Sequence, residues 1–228
     1  MDDHVPVRLA IVGAHGRLGT RITALAAARD DVRVVAALGR EDDDPSVGVD
    51  VVIDVSGVSG AARAIALADR LGAPLLQAGT GLAEDDVRAT ERLSGRVAVL
   101  VAPNLSRGVA LLHRLLAEAA AHLPEGWTVD LVETHHVGKR DAPSGTALAL
   151  AETLRAAGRA LPPDRVHAVR AGGVVGDHEI VLGGPLETVR LRHEAIDRDL
   201  FARGALDAAR WLHGRAPGRY GMQDVLGS

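Results

Sequence analysis

The densest chemistry in this chain lies in one stretch, Glu133-Thr134-His135-His136-Val137-Gly138-Lys139-Arg140-Asp141-Ala142-Pro143-Ser144-Gly145-Thr146. Lys139 is the only lysine among 26 basic residues, and it follows a histidine pair by three positions. An Ala- and Arg-rich composition replaces lysine wherever chemistry permits, so the lysine that remains is a candidate for function. Imidazole and ammonium groups so close together offer two carriers of protons near neutral pH. Successive residues on a strand face opposite ways, so His135 and His136 cannot share one task if the strand is regular there. Next comes a Pro-Ser-Gly turn suited to starting a helix. Pro143 and Ser144 open it, and Gly145 and Thr146 let an anion such as a substrate carboxylate approach backbone N–H groups. A lone His or Lys is more often structural; here the combination argues for a reaction centre.

A second constellation is Gly13-Ala14-His15-Gly16-Arg17-Leu18-Gly19, between an apolar run at 8–13 and an Ala-rich helical pattern reaching residue 28. Glycines at such a turn permit close approach of a pyrophosphate to the helix start, which makes it a dinucleotide fingerprint in context. The spacing is G-x-x-G-x-x-G rather than G-x-G-x-x-G. NAD sites place an acid at the end of the second strand, about 20 residues on, to hold the ribose 2′-hydroxyl. Gly39 and Arg40 stand there instead. An arginine without the acid suits a 2′-phosphate, while Glu41 and Asp42 keep NADH open. Three further turns, Asp54-Val55-Ser56-Gly57, Ala78-Gly79-Thr80-Gly81 and Ala102-Pro103-Asn104-Leu105, each follow a strand-like run, where open α/β sheets bind ligands. Asn104, the only asparagine, could orient a cofactor amide or its own loop.

The elements that must carry these residues follow from periodicity. Strands are expected at 32–38, 51–55, 74–78 and 97–102, alternating with helices at about 59–71 and 83–93. That alternation predicts an α/β fold, an N-terminal Rossmann-type doubly wound parallel sheet. After Pro103 the pattern changes to a long helix at about 106–122, a strand at 128–135 and a helix from about Ser144 to Gly158. Three alternating segments follow at about 166–171, 177–182 and 187–193, expected as antiparallel strands of a central α+β domain. A final helix at about 198–213 resembles the sheet-covering helices of the first half. The expected division is 1–103 completed by 196–228, with 104–195 as substrate-binding and oligomerisation domain. Arg170, His178 and His193 are expected on an exposed sheet face or at an interface.

Composition excludes several classes. The chain of 228 residues has no cysteine, hence no thiolate metal site, disulfide or thiol nucleophile, and no metal is expected. Its net charge of -4 and four aromatic residues lack the basic stripe and stacking platforms of a nucleic-acid binder. No segment has the roughly 18 apolar residues of a membrane span, and the start, Met1-Asp2-Asp3-His4, is acidic where a signal peptide is basic. A cytoplasmic protein is expected, without nucleic-acid or membrane partners.

The segment from Glu133 closely resembles the signature of the 4-hydroxy-tetrahydrodipicolinate reductase (dihydrodipicolinate reductase) family of lysine and diaminopimelate biosynthesis. The likeness extends to Gly13–Gly19, Asp54-Val55-Ser56, Ala102 to Ser106, Arg170-Ala171-Gly172, Gly176-Asp177-His178, His193 to Trp211 and Tyr220 to Leu226. The resemblance implies reduction of 4-hydroxy-tetrahydrodipicolinate to tetrahydrodipicolinate with NADPH or NADH, on a small-molecule dicarboxylate, in a homotetramer assembled through the central sheet. It implies His135 as proton donor or acceptor and Lys139 as the second proton donor. It places substrate on His136, Gly145, Thr146 and Arg198, and with Lys139 the helix start at Ser144 would meet the carboxylates. It places the cofactor on Gly13, Ala14, His15, Gly16, Arg17 and Leu18, on Arg40, on Ala78, Gly79 and Thr80, and on Ala102, Pro103, Asn104 and Leu105. Two departures fall on the cofactor side: Gly39 replaces the family's acid, and Ala78-Gly79-Thr80-Gly81 replaces Gly-Thr-Thr-Gly. Alternatives are a paralogue reducing another cyclic imine, and a nucleotide-binding sensor without turnover; a mere binder has no need of His135 and Lys139.

Overall fold

The computed structural model describes residues 5–45 and 48–227, so the acidic start and part of the 41–50 loop lie outside the described residues. In chain order the elements are β1 (Val7–Val12), α1 (Arg17–Ala26), β2 (Val32–Leu38), β3 (Val51–Asp54), α2 (Val58–Leu71), β4 (Leu75–Gln77), α3 (Glu84–Ser94) and β5 (Ala98–Val101). Then come α4 (Arg107–His122), β6 (Thr128–His135), α5 (Gly145–Ala156), β7 (Val166–Arg170), β8 (Gly176–Gly183), β9 (Thr188–Ala195), α6 (Asp199–Leu212) and β10 (Gly218–Tyr220). Two compact units result: one runs to Arg107 and resumes at Asp199, the other is Gly108–Arg198.

The first unit holds a sheet ordered β10-β5-β4-β3-β1-β2, in which every pairing is parallel. Strands β3 and β4 are buried along their whole length, as parallel strands covered on both faces must be, and they are built from Val, Ile and Leu up to the terminal Asp54 and Gln77. Helix α6 packs in this unit. At Gly204 an added Cβ would lie 1.9 Å from the Leu105 carbonyl oxygen, so only glycine lets the helix sit against that loop. Strand β10 was absent from the sequence expectation. Three residues at a sheet edge are too few to show alternation.

The second unit is a four-stranded sheet ordered β7-β6-β8-β9. Its core joins Leu112, Leu116 and Ala120 of α4 and Leu150 and Leu154 of α5 to Leu131, Ile180 and Leu182 of the sheet. Both β6 and β8 alternate buried and half-buried positions, the period of a sheet with one face covered by helices. The expected antiparallel trio is corrected at β7, which runs parallel to β6, while β6–β8 and β8–β9 are antiparallel. Helix α5 lies between β6 and β7 in the chain and supplies the crossover that a parallel neighbour needs. Among the described residues no helix is long and apolar enough to cross a membrane.

Candidate active site

In the first unit the chain leaves β1 through Gly13 at φ +90, where a Cβ would sit 2.6 Å from the Ser56 backbone. Gly13 and Ala14 donate their N–H groups to the Leu38 carbonyl at 2.9 and 3.2 Å, which fixes the turn over the end of β2. Gly16 is the N-cap of α1, and no side chain caps that helix, so its first turn offers backbone donors to an anion. Gly19 allows the helix to touch the turn, since a Cβ there would be 2.2 Å from the Gly13 oxygen. Beside this turn lies a cleft of about 720 Å³, lined among others by Gly13, His15, Gly16, Gly39, Arg40, Ser56 and Arg63.

Gly13, His15, Gly16 and Arg40 therefore line one cleft, while Ala14 is buried behind it and Arg17 and Leu18 form the first turn of α1. Ala78, Gly79 and Thr80 follow β4, and Ala102 to Leu105 follow β5, at the carboxyl ends of the same parallel strands. Asn104 Oδ1 accepts the Ser106 N–H at 2.9 Å, so its carbonyl holds its own loop. At the missing acid, the Gly39 N–H donates to Asp42 Oδ2 at 2.6 Å, so a carboxylate reaches that strand end from three residues on. Arg63 of α2 was not singled out in the sequence; it donates to the Gly39 and Asp42 carbonyls and to Asp44. An arginine in mid-helix gives no local signal of such a reach. These features fit a dinucleotide: a glycine turn that tolerates no side chain, a helix start without a cap and an adjoining cleft.

In the second unit the covered face of the sheet changes character toward one end. Leu131, Glu133 and His135 follow one another on the inner side of β6, and Ile180, His178 and Gly176 do so on β8. Glu133 is fully buried and pairs in register with His178. Its Oε1 accepts the Ser144 N–H at 3.1 Å and Arg170 Nη2 at 2.9 Å; its Oε2 accepts Arg170 Nη1 at 3.0 Å and bonds to His135 Nδ1. Ser144 is the N-cap of α5, its Oγ accepting the Ala147 N–H at 3.1 Å, and it lies 3.2 Å from His178 Nε2. The two imidazoles meet edge to face with centroids 5.1 Å apart.

Burial pushes the Glu133 carboxyl up, but the hydrogen bonds from Arg170 and His135 outweigh it and hold the group below its usual range. Burial, with the charges of Lys139 and Arg170, lowers His135 against the raising effect of Glu133. His178, 4% exposed, is lowered to about 4, chiefly by burial and then by His135. At neutral pH the cluster thus holds one anion, one guanidinium and two neutral imidazoles. Lys139 lies in the loop after β6, its Nζ 2.8 Å from Asp141 Oδ2, and that pairing lowers the Asp141 carboxyl.

His135 and Ser144 thus belong to one network, and Lys139 shares the loop that Arg170 ties to the sheet by donating to the Asp141 carbonyl. His136 is half-buried beyond the end of β6, outside the regular strand. Gly145 is exposed at the start of α5 with open space around it, Thr146 is half-buried beside it, and Arg198 is exposed after β9. The exposed-face part of the expectation for Arg170 and His178 is corrected. Neither is an exposed face residue, because α5 begins over this end of the sheet and Glu133 demands donors there. The buried acid two residues before His135 was the sequence signal that went unread.

A family model described as dihydrodipicolinate reductase, N-terminus, matches residues 7–105, and its C-terminal counterpart matches residues 108–226. The chain is 42% identical over 237 residues to the 4-hydroxy-tetrahydrodipicolinate reductase of Xanthomonas campestris pv. campestris, covering 97% of this chain and 98% of that protein. It is 40% identical over 257 residues to that of Thermomicrobium roseum, covering 96% and 99%. In fold it is similar to a dipicolinate-bound dihydrodipicolinate reductase from Paenisporosarcina sp. TG-14, with a TM-score of 0.79 at 22% identity over 96% of this chain and 99% of that one. Matched along nearly its whole length in both halves, the chain belongs to the dihydrodipicolinate reductase family.

Proposed function

We infer that this chain reduces 4-hydroxy-tetrahydrodipicolinate to tetrahydrodipicolinate in the diaminopimelate route to lysine, with NADPH or NADH as reductant. The overall balance consumes the substrate, one reduced nicotinamide and one proton, and yields product, oxidised nicotinamide and water. When bound, the nicotinamide supplies the hydride. The chain itself must bind a dicarboxylate ring and handle the proton. His135 and Lys139 are proposed as the proton-handling pair, and the observation that carries this is the buried Glu133–His135 couple joined to the start of α5. Lys139, Arg198 and the first-turn N–H groups of Gly145 and Thr146 are proposed to take the substrate carboxylates, with His136 beside them.

Residues 1–103 with 196–228 are proposed to bind the nucleotide and 104–195 the substrate. In the first part the turn from Gly13 to Leu18, Arg40, the Ala78 to Thr80 turn and the Ala102 to Leu105 turn are its proposed contacts. Arg40 favours a 2′-phosphate, while the Asp42 carboxylate at the Gly39 N–H leaves a place for a ribose diol, so both nucleotides are proposed as substrates. A cytoplasmic homotetramer is proposed from the family likeness, assembled through the outer face of the central sheet, where Val169 is exposed. Light scattering after size exclusion tests the assembly.

The activity is tested by following nicotinamide absorbance with NADPH and with NADH, the substrate being generated in place by the preceding synthase from pyruvate and aspartate semialdehyde. Rapid oxidation that depends on the synthase is the expected result. Folded protein that oxidises neither nucleotide would overturn the assignment.

A further inference from the structure

We propose that Glu133, clamped by Arg170 and the Ser144 N–H, is a positioning residue that holds His135 in the Nδ1–H form, so that Nε2 meets the reaction as a proton acceptor while Lys139 brings the resident proton. This rests on the reductase reading above and divides the labour within the pair named there.

The argument is a count of donors and acceptors. A carboxylate has about four acceptor sites and no proton to give. Glu133 receives two N–H donors from Arg170, one from Ser144 and a bond with His135 Nδ1, and it is fully buried, so no water competes. A protonated Glu133 would have to turn a hydroxyl toward His135 while losing the charge that faces Arg170. The ionised form therefore stands, and the proton on the shared bond belongs to Nδ1. A neutral imidazole has only one N–H, so Nε2 is bare.

Nε2 points past Gly176, where a Cβ would lie 3.1 Å away; glycine leaves that nitrogen without a side chain over it. The charged and titratable groups around the ring are Glu133 on its own strand, Arg170 from β7, His178 from β8 and Lys139 from the following loop. Only Glu133 is negative, so it alone compensates the charge when Nε2 takes up a proton. In that step an N–H bond forms at Nε2, the bond from the donor to that proton breaks with its electron pair left on the donor, and no redox partner is needed.

Glutamine at position 133 is the discriminating change. Its oxygen is best placed where Arg170 Nη2 and the Ser144 N–H both donate, which turns the amide NH2 toward His135. Nδ1 must then accept, and the ring proton moves to Nε2.

The experiment is nitrogen-15 NMR of the full chain with labelled histidine, the His135 signals being identified by their loss in His135→Asn. In the unmodified protein near neutral pH, Nδ1 should resonate as a protonated nitrogen and Nε2 as a bare one. In Glu133→Gln the two should exchange character, and kcat should fall by about 10² or more while KM for the nucleotide stays within a few-fold. An Nε2–H ring in the unmodified protein, or an unchanged tautomer in a folded Glu133→Gln, overturns the proposal. If that variant does not fold, the unmodified spectrum decides alone. The two readings fail separately: missing oxidation of NADPH and NADH counts against the activity, whereas an Nε2–H His135 in an active enzyme counts against the clamp.

Discussion

Acidification should unfold the second unit earlier than its carboxylates alone would require, because of His178. The side chain is 4% exposed, its Nε2 is next to the Ser144 hydroxyl, and its Nδ1 has no hydrogen-bond partner among the described residues. An imidazolium there would be a buried charge with an unmatched N–H. Burial accordingly lowers the group from its ordinary 6.5 to about 4. In the unfolded chain the ring is protonated below 6.5; in the folded chain it stays neutral until about 4. The unfolded state binds more protons across that window, so stability is complete above pH 6.5 and is lost as pH falls toward 4. At about 1.4 kcal/mol per pH unit, the whole window is worth about 3 kcal/mol. Between about pH 7.5 and 4.5 the loss is about 2.5 kcal/mol, or a fall of about 1–2 M in the urea midpoint. Trp127 reports on this unit, and a Trp211→Phe background removes the signal of the other. His135, His193 and His113 are also lowered by burial and add slope of the same sign, so the measured quantity is the difference between parent and His178→Asn. The variant should be weaker at pH 7.5 and should lose about 2.5 kcal/mol less on acidification. Equal losses in both proteins would refute the assignment of the window to His178.

Lys139→Ala should lower kcat by about 10² or more, the scale of a lost general acid, and unchanged turnover at saturating substrate would remove Lys139 from the proton pathway. Gly39→Glu should shift preference toward NADH, because the new Cβ meets the His15 ring at 2.7 Å and Asp42 Oδ2 at 3.2 Å, and both side chains are exposed and can move aside. An unaltered ratio of kcat/KM for the two nucleotides would mean that position 39 does not face the ribose. Gly204→Ala should cost about 2–3 kcal/mol, since its methyl group would overlap the Leu105 carbonyl, and an unchanged Tm would show that α6 can shift without penalty.

Apart from β10, the strand and helix succession of the first unit was legible because each strand is a short apolar run closed by Gly or a polar turn, and each helix carries an apolar stripe. Ranges expected at 51–55 and 59–71 appear as Val51–Asp54 and Val58–Leu71. The direction of β7 was not legible. Its exposed residues alternate in the same way whether its neighbour is parallel or antiparallel, and only the crossover through α5 decides. The candidate site was legible as residue types, yet its supporting residues were not. Arg170 lies 37 positions from Glu133 and meets it only because β7 runs beside β6 with His135 opposite Arg170. His178 meets Ser144 only because β8 pairs with β6 in a register that sets it against Glu133. Period-two alternation says which residues share a face, but the face that α4 and α5 cover is a property of the packed unit.

The two units use one device with different chemistry. In the first, Asp54 is buried at the carboxyl end of β3, accepts the Ser56 N–H at 2.9 Å and the Ser56 hydroxyl, and takes its remaining donor from the neutral Gln77 amide. In the second, Glu133 is buried at the carboxyl end of β6, accepts the Ser144 N–H, and takes its remaining donors from a guanidinium and an imidazole. Each acid thus anchors the backbone turn that opens the segment carrying the candidate ligand contacts, as a buried carboxylate saturated with donors does. The partners differ in consequence. A neutral amide adds no charge beside Asp54 and makes that turn purely a scaffold. A guanidinium beside Glu133 holds the acid ionised, and an ionised acid dictates where the neighbouring imidazole keeps its proton. The same anchoring bond to a helix start therefore becomes, in the second unit only, a control on the tautomer of His135, the proposed proton carrier. Removing Arg170 alone should be worse for the fold than exchanging the pair for apolar residues, since the first change leaves a buried charge uncompensated and the second leaves none.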